Sequence, residues 1–456
     1  MHEFWQEAFT AAVRAAGGEV WIVGGAVRDR LLGRPRNDID VEVYGIDLDT
    51  LERVLRRRYT VSRVGIAWPI LKVTVPGLNK PIDVSLPRRF KPGHGFVADP
   101  QATHAQACAC RDTTINAMIE HPETGHVIDP MGGRLDLEQR CLRAADPSSF
   151  LGDPLRVLRV VRQAATLGFT VDPGLMALCR QASLAGVAGE RIGEEWRRLL
   201  MESERPSVGL DLLRQTHQLE PELEALVGVP QDPVWHPEGD VWVHTCHVVD
   251  AAAHIARREG LEGDAQQVLI WAALCHDLGK ATTTVHRQGR WSAPGHAAAG
   301  VPLAQALMER LDVPSRVIRQ VLPLVREHMC HIHLRLESRQ VRRLARRLGH
   351  ATVRVWGWLV EADHSGRPPL APSAPAQPIV DLARHMGLAD QAPAPLVLGR
   401  HLIAVGLQPG PWFGPVLEQA FQAQLDGHFE TVEEGLRFVR EQGWLDGECA
   451  GSLPAM

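Results

Sequence analysis

The stretch that most constrains the fold runs from Trp21 to Gly45 and reads WIVGGAVRDRLLGRPRNDIDVEVYG. An apolar strand leads into a pair of glycines, a short helical segment follows, and a second apolar strand carries Asp38 and Asp40. Residues i and i+2 of a strand project from the same face, so the two aspartates point together while Ile39 and Val41 point into a core. The segment therefore predicts a strand–turn–helix–strand unit that presents two carboxylates on one face.

Two adjacent carboxylates repel each other unless a cation lies between them, so Asp38 and Asp40 indicate a Mg²⁺ site. The turn at Gly24 and Gly25 allows backbone N–H groups to approach an anion, and Arg28 adds a positive charge in the helix that follows. A metal held beside a phosphate-binding turn is what nucleotidyl transfer requires. Either motif alone is more often a plain turn or an exposed edge, but their order within one unit favours catalysis.

The composition narrows the class of protein. The chain has 456 residues with 49 Lys and Arg, 54 Asp and Glu and a formal net charge of -5, so any nucleic-acid site must be a local patch. Its 8 cysteines include no CxxC couple, which argues against a disulfide framework or a zinc ribbon. No apolar run approaches the roughly 18 residues of a membrane span. We expect a cytoplasmic protein that does not contact membranes.

The periodicity predicts an α+β fold in which a small mixed sheet with flanking helices precedes an otherwise helical chain. Dense helical periodicity begins near Asp153, and a Pro/Ala/Ser linker follows at residues 365–378. We predict four parts: a head at 1–140, a helical neck and body with a base-selecting motif at 141–230, a second functional domain at 231–370, and a helical C-terminal body and tail at 371–456.

The motifs GGAVRD and NDIDVEVYG resemble the head of class II tRNA nucleotidyltransferases and bacterial poly(A) polymerases, within the DNA polymerase β superfamily. This resemblance implies a polymerase-β-like head in which Asp38 and Asp40 are the catalytic Mg²⁺ ligands. The motif CRDTTINAM is similar to the family's RRDxTINA, which implies that Arg111, Asp112 and Asn116 contact ribose and triphosphate. The first arginine of that motif is replaced here by cysteine.

The segment GDPLRVLRVVRQAATLGF resembles the family motif that reads the Watson–Crick edge of the incoming base, which implies that Asp153 and Arg156 select the nucleotide. Arg159 continues the same helical stripe and joins the predicted nucleotide contacts. A carboxylate acceptor and a guanidinium fork can complement a base edge, although an ordinary surface ion pair is the common alternative. Gly152 stands where the family usually has glutamate. The segment GERIGEEW is similar to the helix start that positions this motif.

A second motif, AALCHDLGK, places His276 directly before Asp277. An adjacent imidazole and carboxylate at a helix turn can bind one divalent ion, and the pattern resembles the HD phosphohydrolase superfamily. The resemblance implies a divalent transition metal and hydrolysis of 2′,3′-cyclic and other phosphoesters. His331 fits a solvated loop position as well as a ligand position. The implied ligands are His244, His276, Asp277, His296, His328 and Asp363.

Taken together, the motifs predict an enzyme that adds CMP and AMP from CTP and ATP to the 3′ end of tRNA and carries an HD phosphohydrolase domain. The segment from Pro87 to His104 lies where the family has a flexible loop for the change from C to A addition, yet it contains no tyrosine. A CC-adding enzyme is therefore an alternative. A poly(A) polymerase, and an HD phosphohydrolase with a non-catalytic RNA-binding head, are two others. The loop residues available for the change are Arg88, Arg89, Phe90, Lys91, Gly93, Gly95 and Phe96.

Overall fold

The structure is a computed structural model that describes residues 2–35, 39–65, 69–78 and 80–443. The chain folds into two units, of which the first contains residues 1–203 with 208–219 and the second contains residues 204–207 with 220–456. The four-part division remains a prediction. Among the described helices, none combines the length and the apolar character that crossing a membrane would need.

The first unit is built on a seven-stranded sheet with the order β3-β4-β5-β2-β1-β8-β9. The sheet is mixed, as predicted, because β2 and β5 run parallel while the other neighbouring strands are antiparallel. Its strands are β1 (Glu19–Val23), β2 (Asp40–Tyr44), β3 (Thr60–Val64), β4 (Ile70–Thr74), β5 (Ile82–Ser85), β8 (Ile119–Glu120) and β9 (Val127–Ile128), and a separate hairpin contains β6 (Arg88–Lys91) and β7 (Gly95–Ala98).

The alternation along β2 separates the two faces of this sheet. Val41 and Val43 are buried in a core with Phe9 and Leu51, which come from helices on one side of the sheet. Asp40 and the other even-numbered residues of β2 project from the opposite face. The helices around the sheet are α1 (His2–Arg14), α2 (Gly25–Leu31), α3 (Leu48–Leu55), α4 (His104–Cys108), α5 (Gly133–Glu138) and α6 (Pro147–Phe150).

The segment at 87–104, which lies where the family has a flexible loop, forms regular structure over much of its length. Phe90 and Phe96 are directly opposed in the hairpin β6–β7, and their ring centres lie 5.2 Å apart. Gly93 and Gly95 have φ values of 78° and 75°, in the left-handed region that glycine adopts without strain. The two cross-strand aromatic rings stabilise a hairpin despite the Gly/Pro-rich turn, and the role of this segment in the change from C to A addition remains a prediction.

Helices make up most of the chain after the head. The motif predicted to select the base leads into α7, which is capped at its C-terminus by Gly168 in the left-handed conformation. The elements that follow the head are β10 (Cys141–Leu142), α7 (Arg156–Leu167), β11 (Thr170–Val171), α8 (Pro173–Gln181), α9 (Gly189–Glu202) and α10 (Pro206–Gln215). The two short strands pair in parallel.

The second unit is helical apart from one described hairpin, β12 (Val285–Arg287) and β13 (Arg290–Ser292). The Pro-rich linker predicted at 365–378 is free of helix between α18 and α19, but the prediction was wrong at its two ends: Ser365 ends α18, and Gln377 and Pro378 form the first turn of α19, where proline is tolerated. The helices of the second unit are α11 (Pro221–Glu224), α12 (Val241–Arg258), α13 (Gly263–Cys275), α14 (Lys280–Thr283), α15 (His296–Arg310), α16 (Ser315–Glu327), α17 (Ser338–Leu348), α18 (Val353–Ser365), α19 (Gln377–His385), α20 (Gly399–Ala404), α21 (Phe413–Asp426) and α22 (Val432–Glu441).

Candidate active sites

The turn between β1 and α2 lies directly beside β2, the strand that begins at the predicted metal ligand Asp40. Gly24 has φ 69° and ψ −137°, a conformation that is essentially restricted to glycine. A Cβ atom at this position would lie 3.7 Å from Asp40 Oδ2 and 3.9 Å from Arg111 Nη1. The turn, the carboxylate and the guanidinium therefore meet at one place, as the motifs predicted. Asp38 lies outside the described residues, so its pairing with Asp40 remains a prediction.

A third acid, which the sequence analysis did not include, projects from the same face of β2. Glu42 is buried, accepts a hydrogen bond from the Tyr44 hydroxyl at 3.1 Å and forms an ion pair with Arg111. Burial and the nearby Glu42 carboxylate raise the pKa of Tyr44. Glu42 thus holds the Arg111 guanidinium close to Asp40. The signal was present in the sequence, because DVEVY places an acid two residues after Asp40.

Arg28 and Asn116, both predicted nucleotide contacts, lie together. Arg28 Nη1 donates a hydrogen bond to Asn116 Oδ1 at 2.8 Å, and Asn116 Nδ2 donates to Asp112 Oδ1 at 2.9 Å. Gln163 Nε2 donates to the other oxygen of Asp112 at 3.0 Å. Burial alone would raise the pKa of Asp112, but Arg159 and Asn116 hold it well below its usual value. The Asp112 carboxylate therefore orients Asn116 from inside the fold.

Several guanidinium groups lie around Arg111 and Asp112. Burial and the charge of Arg111 lower the pKa of the Arg88 guanidinium. Arg159 lies 3.8 Å from Asp112 and 3.7 Å from Glu195, and its side chain keeps 45% of its surface exposed. Guanidinium groups match the oxygens of a phosphate chain in charge and geometry. This face of the head is suited to a polyphosphate.

The two residues predicted to read the base have different partners in the structure. Arg156 is buried, and its guanidinium donates to the carbonyl oxygens of Ser149, at 3.0 Å, and of Cys110. Asp153 precedes α7, and its Oδ2 accepts a hydrogen bond from Arg191 of α9 at 3.3 Å. Arg156 N donates to the Asp153 carbonyl at 3.1 Å, so the two residues are one turn apart at the start of α7, and their joint role in base selection remains a prediction.

The hairpin β6–β7 packs directly on this motif. The Cζ atom of Arg156 lies 4.6 Å from the centre of the Phe96 ring. A Cβ atom on Gly152 would lie 2.9 Å from Phe96 Cε2 and 3.0 Å from Phe90 Cε2, distances too short for a real side chain. The glycine that stands in place of the family's usual glutamate is thus the residue that the two rings require.

The second site is a cluster of histidines and carboxylates in the helical unit, and all six predicted ligands are buried in the protein. Three histidines place Nδ1 at 2.7 to 2.8 Å from a carbonyl oxygen three residues earlier. A carbonyl can only accept, so the proton lies on Nδ1 and the Nε2 atom carries a free lone pair. These pairs are His276 with Ala273, His296 with Ala293, and His328 with Val325.

Two of these lone pairs face each other. His296 Nε2 lies 3.1 Å from His328 Nε2, and Asp277 Oδ1 lies 3.3 Å from His296 Nε2. Burial and the neighbouring His276 lower the pKa of His328 to about 3, so a proton does not bridge the pair near neutral pH. Imidazole nitrogens and a carboxylate oxygen are ligands for divalent transition metals. The residues present therefore fit a metal ion, as the pattern predicted.

A buried carboxylate outside the predicted set orients one ligand. His244 Nδ1 donates to Glu238 Oε1 at 2.7 Å, while His244 Nε2 points toward Asp363 Oδ1 at 3.3 Å. Burial alone would raise the pKa of Glu238, but hydrogen bonds from His236 and His244 lower it to about 2. A carboxylate behind a ligating histidine fixes its tautomer and strengthens metal binding. Glu238 lies six residues before His244 in a coil segment, and no sequence motif marks it.

His331 is half-buried and contacts another histidine, so it is not a solvated loop residue. Its Nε2 atom lies 3.1 Å from His364 Nε2, which resembles the contact between His296 and His328. Here, however, His331 Nδ1 donates to the His328 carbonyl at 2.9 Å, and His364 Nδ1 lies 3.5 Å from the Ser373 hydroxyl. Because the proton of His331 lies on Nδ1, its Nε2 atom can accept a hydrogen bond from His364 Nε2. This pair can therefore form a hydrogen bond without a metal.

Comparison with known proteins identifies the two domains that contain these sites. The family model of the poly A polymerase head domain matches residues 20–143, and the family model of the HD domain matches residues 241–367. The multifunctional CCA protein of Halorhodospira halophila is 39% identical over 333 residues, which cover 70% of this chain and 76% of that protein. The chain belongs to the multifunctional CCA protein family. A second family member, from Xanthomonas campestris pv. campestris, is 36% identical over 420 residues, covering 88% of this chain and 97% of that protein.

Solved structures share the fold of this family member along nearly its whole length. The Bacillus stearothermophilus CCA-adding enzyme in complex with CTP superposes with a TM-score of 0.67 at 21% identity, covering 97% of both chains. The Thermotoga maritima CCA-adding enzyme complexed with tRNA superposes with a TM-score of 0.59 at 18% identity, covering 96% of this chain and 94% of that chain. The predicted α+β fold with a polymerase-type head is confirmed.

Family membership confirms the predicted class of protein: it is a nucleotidyltransferase that also carries an HD domain. The reading of the head as a non-catalytic RNA-binding module is therefore not supported. The roles of individual residues remain predictions.

Proposed function

We propose that this protein adds CMP and AMP to the 3′ end of tRNA. The relatives are named multifunctional CCA proteins, and the structural neighbours include CCA-adding enzymes with CTP and with tRNA. The observation that carries the proposal is the meeting of Asp40 and Arg111 at the Gly24 turn, since a metal-binding carboxylate and a phosphate-binding group must adjoin for nucleotidyl transfer.

In this proposal Asp38 and Asp40 would hold Mg²⁺, which would neutralise charge on the triphosphate and favour ionisation of the attacking hydroxyl. The 3′ oxygen of tRNA forms a bond to the α-phosphorus, and the bond from that phosphorus to the β-phosphate oxygen breaks. Pyrophosphate leaves, and the hydroxyl proton passes to solvent. Arg28 and Arg111 bind the phosphate oxygens, and Asn116 contacts the ribose.

Base selection is assigned to Asp153 and Arg156. The carbonyl groups that accept from the Arg156 guanidinium hold it in one orientation before the nucleotide arrives, so little side-chain entropy is lost on binding. Asp153 has to exchange its hydrogen bond from Arg191 for one from the base. That exposed pair, at 3.3 Å, is of the weak kind that such an exchange can displace.

For the HD centre we propose hydrolysis of phosphodiesters, including 2′,3′-cyclic phosphates. The observation that supports this is the pair of opposed Nε2 lone pairs on His296 and His328, beside Asp277. A divalent transition metal held by the six predicted ligands would activate water and polarise the phosphoryl group. The water oxygen forms a bond to phosphorus, one ring P–O bond breaks, and the leaving ribose oxygen takes up a proton.

The transfer activity is tested by incubating the purified protein with tRNA that lacks CCA and with CTP, ATP or both, followed by sizing of the products. We expect extension by CMP with CTP alone and by the full CCA with both nucleotides. Asp40→Asn should reduce the rate by at least about 10³-fold, because it removes a metal ligand from the reacting centre. The matched control is Asp49→Asn, which alters an exposed ion pair with Arg63.

Two results would change the assignment. If tRNA ending in CC accepts no AMP at high ATP, the protein is a CC-adding enzyme. If RNA without tRNA shape is extended with AMP as efficiently as tRNA, the protein is a poly(A) polymerase.

The HD activity is tested with His276→Ala and His254→Ala, the second of which changes an exposed histidine of α12. Only the first should lose bound metal and the hydrolysis of 2′,3′-cyclic AMP, and both should retain CMP addition. Loss of CMP addition in folded His276→Ala protein would contradict the assignment of two independent sites.

A further inference from the structure

Two tryptophans line the cavity that opens onto the HD cluster. This cavity has a volume of about 590 Å³, and Asp277, His296 and Asp363 line it together with Trp235 and Trp291. Trp235 is 63% exposed and Trp291 is 37% exposed. Indole rings exposed to solvent beside a polar centre are a common feature of binding sites, because leaving them in water sacrifices the free energy of burial.

The position of Trp235 is fixed by the turn that also supplies a residue behind the metal cluster. Asp232 accepts backbone hydrogen bonds from Val234 and from His236, each at 2.9 Å. The ring of His236 in turn lies 2.9 Å from Glu238, the carboxylate that orients His244. Trp235 is therefore held close to the cluster by a rigid turn.

Trp291 approaches the cavity from a different element. It lies on β13 directly opposite His286, and the two ring centres are 4.7 Å apart. The chain then passes through Pro294, which lines the cavity, and begins α15 at the ligand His296. Both tryptophans are thus joined by short rigid segments to residues of the metal cluster.

The polar groups of the cavity are concentrated at the cluster. Lys280 Nζ lies 2.7 Å from Asp277 Oδ2, and Arg367 Nη2 lies 3.9 Å from Asp363 Oδ1. These cations suit a phosphate bound at the ligands, whereas the indoles supply an apolar surface toward solvent. A volume of about 590 Å³ also lies within the range of roughly 300 to 1,000 Å³ that is usual for small-molecule sites.

We propose that Trp235 and Trp291 form a nucleobase subsite of the HD centre. The preferred substrate is then a nucleoside 2′,3′-cyclic phosphate whose base stacks on an indole while its phosphate lies at the metal ligands. This inference rests on the proposed phosphodiesterase function and adds to it a requirement for the base. Stacking of one base on an aromatic side chain corresponds to a change of roughly 5- to 150-fold in affinity.

The test compares 2′,3′-cyclic AMP with 1,2-cyclic glycerol phosphate, which has the same five-membered ring and no base. Trp235→Ala and Trp291→Ala should raise KM for 2′,3′-cyclic AMP within that 5- to 150-fold range and leave the glycerol compound unaffected. Phenylalanine at either position should restore most of the loss. Val234→Ala is the matched control, because Val234 is 75% exposed and does not line the cavity.

Binding of 3′-AMP, measured by calorimetry on the metal-loaded enzyme, provides a readout that does not depend on turnover. The alanine variants should bind 3′-AMP more weakly and inorganic phosphate equally well. Equal losses with both cyclic phosphates, or unchanged 3′-AMP binding, would overturn the nucleobase subsite. If the wild-type enzyme hydrolyses neither compound, the phosphodiesterase proposal fails, while the calorimetry still decides the subsite.

A short RNA that ends in a 2′,3′-cyclic phosphate separates two sources of the same chemistry. A larger effect of the tryptophan variants on this RNA than on the mononucleotide would identify an RNA terminus as the substrate. The reverse result would identify the free nucleotide.

Discussion

The guanidinium of Arg156 lies over the ring of Phe96, with Cζ 4.6 Å from the ring centre. This contact joins the hairpin β6–β7 to the residue assigned to base selection. A cation–π contact contributes about 0.5 to 2 kcal/mol, or roughly 2- to 30-fold. Phe96→Leu keeps apolar volume but removes the aromatic face, so we expect discrimination between CTP or ATP and UTP or GTP to fall by that factor. The measurement is kcat/KM for each nucleotide.

Phe96→Tyr retains the aromatic face and is the matched control for this prediction. It should preserve the wild-type nucleotide preference. Equal behaviour of the leucine and tyrosine variants would show that Phe96 contributes packing alone.

The ion pair between Arg162 and Glu195 joins α7 to α9, at 2.6 Å, and the two side chains are only 10% and 9% exposed. Arg162→Met leaves a buried carboxylate without its main partner, which typically costs about 3 to 5 kcal/mol. We expect the free energy of unfolding to fall by an amount near the lower of these values, because Arg159 also lies near Glu195. Urea unfolding measures the change.

The exposed pair of Arg197 and Glu194 is the control for that measurement, since both side chains are at least 40% exposed. Arg197→Met should change the free energy of unfolding by less than about 1 kcal/mol. Similar losses in the two methionine variants would mean that burial of the Arg162 pair has no special role.

Glu238 affects metal binding through His244, to which it is joined by a 2.7 Å contact. Glu238→Gln replaces the charged acceptor with a neutral one, so the affinity of the HD centre for metal should fall by about 10- to 100-fold. Competition with a chromophoric chelator measures the affinity. The exposed Glu309→Gln should bind metal as the wild type does, and CMP addition should be unchanged in both variants. Unaltered metal affinity in Glu238→Gln would refute the orienting role.

His364 should make stability depend on pH in the metal-free protein. Burial lowers the pKa of His364 from 6.5 to about 4. Between these pH values the unfolded chain binds a proton at this position that the native state does not, so the free energy of unfolding decreases as the pH falls from 6.5 toward 4. Above pH 6.5 the contribution is constant.

Urea unfolding at several pH values in the presence of a chelator tests this sign. His364→Gln should show a shallower decrease than the wild type, while exposed His254→Gln should follow the wild type. A steeper decrease in His364→Gln would mean that the direction of the pKa shift is wrong.

Local chemistry determined a substantial part of this protein before folding was considered. The two-residue period of β2 separates Val41 from Asp40 whatever the rest of the chain does, and the paired glycines allow the turn that follows β1. The adjacent His276 and Asp277 could likewise be recognised as a candidate metal-binding pair from the helical pattern immediately around them. These features rest on neighbours within a few residues, so they could be recognised in the sequence.

The positions of other side chains depended on tertiary structure. Glu42 and Arg111 are 69 positions apart in the chain, and Arg191 and Asp153 are 38 apart. No local sequence pattern predicts either ion pair, because packing between distant segments decides which charged side chains come into contact. The hairpin β6–β7 illustrates the same limit, since the pairing of Phe90 with Phe96 was not evident in the sequence.

Gly152 illustrates what the sequence and the tertiary structure each reveal about a single residue. The sequence marked it as a departure from the family's glutamate, but gave no reason for the change. Only the folded chain brings Phe90 and Phe96 to within 3.0 Å of the position that a side chain would occupy. The sequence by itself determined the fold class and indicated the candidate reacting groups, whereas long-range packing decided which residues hold those groups in place, because steric contacts between remote segments exist only after folding.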